Sequence, residues 1–383
     1  MDKKFRIFVV AGEKSGDELG GGLLKQLKLV YHDIEILGVG GPKMIAQGLN
    51  PIFDMKLISI MGLIEIVTKI PRIFSLLKLT EKKIIDYNPD VLLTIDSPGF
   101  NFRLQSRVRG LNIKQVHYVA PSVWAWKSYR AKKISSYLDL LLVLYPFEKK
   151  YFTKFGLKTI FVGHPIAFDE KYYLNKYKCE KSLLDKNLKK VALLPGSRLS
   201  EINKLLPIFI DTALMLKERN NKIKFYIVTL SEYKKHIVKM FKQEQLDYYV
   251  TDNEDEKYNI YSKVDFALCA SGTVTMELAK AYTPMLVVYK LNSLTWLIVK
   301  FMTKVRTATI LNLVLGNNII PELFQSDVSV EKIFRIANNY LNDDKLKKYQ
   351  IEQLRLGISK IKNLNMDPSS LAVNSIVKML NKN

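Results

Sequence analysis

Short, nearly unbroken apolar runs recur along this chain, each followed by a loop of small or polar residues and then a helix-like stretch. The runs at 5–10, 34–39, 91–95, 113–118, 138–144 and 159–162 lack the alternation of a half-exposed strand, so we expect strands covered on both faces. A second series stands at 191–194, 225–229, 247–250, 264–268 and 285–288. Strand alternating with helix leads to parallel sheets wound by helices on both sides. The stretch 165–190 between the series is polar and without period, and from about residue 330 the pattern is helical. The expected fold is therefore α/β with two doubly wound, Rossmann-like lobes and an active site in the cleft between them. We place the first lobe at 1–168, a linker at 169–184 and the second lobe at 185–365, with the C-terminal helix 366–383 packing back on the first.

Four loops carry the chemistry: AGEKSGD at 11–17, TIDSPGFN at 94–101, LLPGSR at 193–198 and ASGTVTMELA at 270–279. Each leaves a strand and opens a helix, where strand C-termini meet the positive ends of helices and ligands collect. In the second lobe Gly196 lets backbone approach an anion, Ser197 and its neighbours offer N–H groups, and Arg198 adds a planar fork for two phosphate oxygens. Ser271, Gly272 and Thr273 repeat that arrangement with hydroxyls added. Glu277 follows Thr273 by one turn on the same face, where it either accepts from ribose hydroxyls or is simply solvated. Two such loops in one lobe suit a nucleoside diphosphate. Asn312, Glu322 and Gln325 are polar positions in the apolar stretch 311–325 and serve either the sugar and base or the local turns.

The first-lobe loops carry carboxylates instead. Gly12 and Gly16 tighten the first loop, and Glu13 and Asp17 flank it. Glu13 stands where a substrate would lie; Ser15, Gly16 and Asp17 complete the loop, with Asp17 either facing substrate or charge-matching the helix N-terminus. Asp96 ends an apolar strand that Pro98 stops, as an Asx-turn former or as a general base.

Other chemistries find no support. GVGGPKM at 38–44 follows the second strand and lacks G-x-G-x-x-G spacing, there is no Walker A loop, and His32, His117, His164 and His236 show no metal-ligand spacing. No metal and no cofactor are expected, and His164 reads as structural. The two cysteines, Cys179 and Cys269, form no disulfide framework. A net charge of +22 points to an anionic partner or to lysine spread over solvated faces. Nucleic acid is excluded for want of a basic–aromatic platform. Residues 56–83 hold six Lys/Arg and two Glu on an apolar background that Pro71 breaks, and residues 290–306 hold four basic and no acidic ones. Such segments lie in a membrane interface, hold an acyl chain, or face a core. No run reaches the roughly 18 apolar residues of a bilayer span. The strand at 5–10 follows Met1 too closely for a cleavable signal.

With these residues in hand, the chain resembles the lipid-A-disaccharide synthase family of Gram-negative bacteria. The resemblance runs through the four loops and GVGGPKM, and through YVAPSVWAW at 118–126, FVGHP at 161–165 and PMLVVYK at 284–290. Leu311 stands where the family usually has Pro. The resemblance implies a B-type, inverting, metal-independent glycosyltransferase. It implies that 2,3-diacylglucosamine passes from UDP-2,3-diacylglucosamine to the 6-hydroxyl of 2,3-diacylglucosamine 1-phosphate, giving the β-1,6-linked lipid A disaccharide 1-phosphate and UDP. It also implies a cytoplasmic protein held peripherally on the anionic inner-membrane surface. Asp96 is the expected base because its strand end is stiffer, Glu13 orients the acceptor, and Arg198 steadies the leaving diphosphate. The oligomeric state stays open, a homodimer included. Within the fold, a UDP-sugar epimerase or a peptidoglycan glycosyltransferase is the alternative; the latter carries a GGTGGH-like loop where this chain has AGEKSGD. A non-catalytic basic membrane-surface protein would need neither the phosphate loops nor the strand-end carboxylates.

Overall fold

A computed structural model describes residues 4–59, 63–124, 129–170, 181–242, 244–290, 307–363 and 366–381. The chain divides into two compact units, Met1–His164 with Asn363–Asn383, and Pro165–Lys362.

The first unit begins β1 (Phe5–Ala11), α1 (Lys14–Val30), β2 (Ile34–Val39), α2 (Pro42–Ile45), β3 (Asn50–Pro51) and α3 (Leu63–Tyr87). It continues through β4 (Val91–Ile95), α4 (Pro98–Arg107), β5 (Lys114–Tyr118), α5 (Tyr129–Ser135), β6 (Leu140–Val143), α6 (Lys150–Thr153) and β7 (Thr159–Phe161). The seven strands are all parallel, in the order β3-β2-β1-β4-β5-β6-β7. Side chains along β1 explain the unbroken apolar runs. Ile7 and Val9 enter the core beneath α1, while Phe8 and Val10 enter the core beneath α3 and α4.

The second unit runs β8 (Lys189–Leu194), α7 (Leu199–Arg219), β9 (Ile223–Val228), α8 (Ser231–Phe241), β10 (Tyr248–Thr251), α9 (Glu254–Lys263) and β11 (Phe266–Ala270). It then runs α10 (Thr273–Lys280), β12 (Met285–Tyr289), α11 (Ile310–Leu315), β13 (Glu322–Phe324), α12 (Val330–Asn342) and α13 (Asp344–Ile361). Its six parallel strands are ordered β10-β9-β8-β11-β12-β13. Val191, Leu193, Phe225 and Ile227 meet Phe209, Ala213 and Ile333 from α7 and α12 in one core. The last helix, α14 (Pro368–Leu380), returns to the first unit, where Ala372, Val373 and Ile376 join Leu23, Leu24 and Leu27 of α1.

Two short strands escape the sequence pattern. β3 and β13 have two and three residues, too short to show a period. Pro71 does not break its segment: α3 runs through it. Proline there leaves one carbonyl a turn earlier without its donor, and the position is exposed, where water can serve that group. Of the amphipathic segments, 60–62 and 291–306 lie outside the described residues, as do 171–180 of the linker with Cys179, and Trp126. Among the described residues no helix is long and apolar enough to cross a membrane.

Candidate active site

Both units place their chemistry where the strand order reverses. β1 and β4 are neighbours whose chains lead to opposite ends of the first sheet, and β8 and β11 do the same in the second. The four loops therefore leave from two switch points, the place where open α/β sheets leave a crevice at their C-terminal edge.

In the first unit the structure brings Asp96, Ser15 and Glu13 to one such point. Asp96 follows β4 with φ +51°, and Ser97 follows with φ +44°. Two successive non-glycine residues in the left-handed region cost about 1–3 kcal/mol each and persist only where surroundings impose them. Asn101 imposes them: its buried amide Nδ2 donates to the carbonyls of Asp96 (2.8 Å), Ile95 (3.2 Å) and Val10 (3.4 Å). Gly12 is also required, since a Cβ there would strike Ser97 Oγ. The Asp96 carboxylate accepts from Ser97 N–H (2.8 Å) and Ser15 Oγ–H (3.4 Å). Burial pushes its carboxyl above the usual range, and these two bonds oppose the rise. A raised carboxyl is a stronger base. Glu13 is the N-cap residue of α1, in extended backbone, and its side chain does not cap the helix.

Val119, just past β5, is held at φ +81°, a costly place for a β-branched residue, by its N–H bond to Leu142 O (3.0 Å). His164 is half-buried, stacks on Tyr145 at 5.5 Å, and is lowered to about 4 by desolvation, so its ring is neutral.

Asp17 does not join this group. It is 3% exposed, and its carboxylate accepts from Gly41 N–H (2.9 Å), Lys43 N–H (3.0 Å) and Met44 N–H (3.0 Å). It is the anchor for the N-terminus of α2, a use the sequence does not reveal because those partners lie 24–27 residues away. Gly16 is buried where α1 crosses Ile95, 3.4 Å from its carbonyl by a would-be Cβ.

In the second unit Gly196 takes φ +123°, and Glu201 tucks under it where a side chain at 196 would stand. Glu201 accepts from Ser197 N–H (3.2 Å) and from Arg198 Nη1 (3.0 Å). Arg198, the N-cap residue of α7, stays 63% exposed. The loop thus aims a guanidinium and backbone donors outward, with its own carboxylate as their present partner. After β11, Ser271 and Gly272 lead into α10, whose exposed N1 residue is Thr273. A Cβ at Gly272 would meet nothing within 4 Å, so the space before that helix end is open. Glu277 pairs with Lys257 (3.1 Å), which also binds Glu254 (2.9 Å). Burial would lower the Lys257 ammonium, but Glu277 and Glu254 outweigh it and hold it above its usual range.

Asn312 and Glu322 turn inward. Asn312 is 2% exposed and spends its amide on Ile320 O (2.9 Å), Thr307 Oγ1 (3.3 Å), Ile319 N–H (3.0 Å) and Ile320 N–H (2.9 Å). Glu322 accepts from Thr309 Oγ1 (2.6 Å) and Ala308 N–H (3.0 Å). Both side chains are engaged in scaffolding the 307–322 loop. Leu311 is fully buried beside them. Gln325 sits just past β13 at φ +48°. Asn101 and Glu201 are the residues that sequence reasoning passed over, although both lie inside or next to the quoted motifs.

Two parallel sheets of this order, each with its loops leaving a switch point, are an α/β fold that solved sugar-nucleotide epimerases and glycosyltransferases share with this chain. The UDP-GlcNAc 2-epimerase of Neisseria meningitidis, solved bound to UDP-GlcNAc, superposes with TM-score 0.61 at 15% identity over 99% of this chain and 100% of its own. CalG4, the calicheamicin glycosyltransferase, superposes with TM-score 0.62 at 11% identity over 100% and 99%. The profile of the family described as Lipid-A-disaccharide synthetase matches residues 7–375. The lipid-A-disaccharide synthase of Psychromonas ingrahamii is 34% identical over 383 residues, covering 100% of this chain and 99% of the relative. This chain belongs to the lipid-A-disaccharide synthetase family, and it is a glycosyltransferase of lipid A disaccharide synthesis.

Proposed function

We propose that the enzyme transfers 2,3-diacylglucosamine from UDP-2,3-diacylglucosamine to the 6-hydroxyl of 2,3-diacylglucosamine 1-phosphate, releasing UDP and the β-1,6-linked disaccharide 1-phosphate. The observation that carries this reading is a burial-raised carboxylate at the end of β4 in one unit and an outward-facing arginine loop at α7 in the other. Asp96 takes the proton of the acceptor hydroxyl. The freed oxygen attacks the anomeric carbon as its bond to the diphosphate breaks, and the configuration inverts. Glu13 orients the acceptor. The departing charge falls to Arg198, the loop donors at Gly196 and Ser197, and the α10 N-terminus with Ser271, Gly272 and Thr273. Glu277, steadied by Lys257, accepts from ribose hydroxyls, and Gln325 serves the base. A positive field of this kind requires no divalent metal.

We further read the protein as peripheral on the cytoplasmic face of the inner membrane. The exposed Ile70, Phe74, Leu79 and Ile85 of α3, in a chain of net charge +22, support that reading. The test is incubation with the UDP-linked donor and the monosaccharide phosphate acceptor. Disaccharide and UDP should appear in equal amounts; UDP released without disaccharide, or an epimerised UDP-sugar, rejects the transfer.

A further inference from the structure

A groove of about 400 Å³ lies against α4 between α3 and α5, wholly within the first unit. Phe74 and Leu77 of α3, Phe102 of α4 and Ile134 of α5 give it an apolar lining. Four cations share that lining: Arg103 and Arg107 from α4, and Arg130 and Lys133 from α5. Among the described residues one carboxylate pairs with them, Glu81, at 2.6 Å from Arg107. Arg103 donates to the Gly99 carbonyl (2.5 Å) and makes no ion pair among the described residues. Arg130 and Lys133 make no ion pair among the described residues. The proposed chemistry uses none of these four.

The groove has a position as well as a charge. Pro98 and Gly99 form its wall at the first turn of α4, two residues beyond Asp96, within roughly 7 Å of chain. A volume of this size is that of a small-ligand pocket. Arginine forks over an apolar floor recognise a phosphate on an acylated molecule. A phosphate monoester carries about −1.5 to −2 at neutral pH, a better match to several clustered cations than a singly charged diester. We propose that this groove is the subsite for the phosphate-bearing end of the acceptor, an acylated sugar phosphomonoester. Arg103, Arg130 and Lys133 hold the phosphate, and Phe74 and Phe102 lie along an acyl chain. The proposal rests on the reading above that the acceptor is a phosphorylated, acylated glucosamine.

Equilibrium binding of the full chain tests it without requiring turnover. In Arg130→Gln/Lys133→Gln, the Kd for the monosaccharide phosphate acceptor should rise about tenfold or more, while the Kd for UDP stays put. The same acceptor without its phosphate should bind wild type and variant alike. Arg103→Gln supplies an independent variant if the double one does not fold. An acceptor Kd within twofold of wild type overturns the proposal, as does an equal loss for both acceptors. Lost binding to phosphatidylglycerol vesicles with an unchanged acceptor Kd also overturns it, and assigns the cations to bilayer lipid. Phosphate-dependent binding without disaccharide formation would reject the transfer reaction and leave the groove assignment standing.

Discussion

At the end of β4 the candidate base is reached through strain and burial. Asp96 and Ser97 sit at positive φ, Asn101 pins three carbonyls, and burial raises the carboxyl. At the start of α7 the proposed anion loop is reached through exposure, with Arg198 63% exposed and tethered to Glu201. The two regions meet opposite demands. A general base needs a fixed direction and a poorly solvated carboxylate. A diphosphate site needs donors that water can reach first and an anion can then claim, so its elements stay at the surface with an internal carboxylate standing in.

Breaking the first region should cost most. Asp96→Asn keeps the shape of the loop but removes the base, and turnover should fall by about 10²–10⁴-fold at saturating substrates. If Asp96→Asn retains most of its turnover while Glu13→Gln is dead, the two carboxylates exchange roles. Arg198→Ala should reduce transition-state stabilisation by about 2–4 kcal/mol, read as kcat/KM in a protein that still melts normally. Wild-type kinetics there would remove the diphosphate from the α7 loop.

Asn101→Ala tests whether the strain is imposed from outside. Releasing three buried carbonyls should lower folding stability by about 1–3 kcal/mol in urea titration and lower kcat with it. A kcat equal to wild type would show that Asp96 holds its own conformation. Glu201→Gln sharpens the second region. It keeps an acceptor under the Ser197 N–H but removes a negative charge beside the diphosphate, so calorimetry should show UDP bound several-fold more tightly. Weaker binding would make Glu201 a support for Arg198 instead of a competitor.

A last prediction concerns another buried carboxyl of the first unit. Glu148 is pushed up to about 8 by burial, against a bond from the Tyr145 N–H (3.1 Å). The folded protein keeps this proton where the unfolded chain, at 4.5, has released it. Its contribution is therefore complete below 4.5 and is lost as pH rises through about 8. Glu148→Gln should flatten that decline in unfolding experiments at the two ends of the range, and an unchanged slope would locate the proton elsewhere.

Much of this was legible in the residues. Strands buried on both faces are apolar over most of their length, so β1, β4, β8 and β11 stood out without a partner in view. The loops after them combine glycine with hydroxyl side chains, and the one after β8 adds an arginine. Asp96 could be singled out because a strand-end carboxylate followed by proline is a local signal.

Side-chain employment was not legible, because it depends on partners distant in sequence. Asp17, Asn312 and Glu322 have the residue types of ligand groups, yet each is engaged by backbone that only the folded loop supplies. Lys257 meets Glu277 from a different helix 20 residues away, and Asn101 reaches the carbonyl of Val10 across 91 residues. Local pattern and composition were enough for the two parallel sheets and for the loops that leave them. Only tertiary structure decided which polar groups face a substrate and which brace the backbone: a buried polar group must be paired, and its pair is chosen by packing, not by its neighbours in the chain.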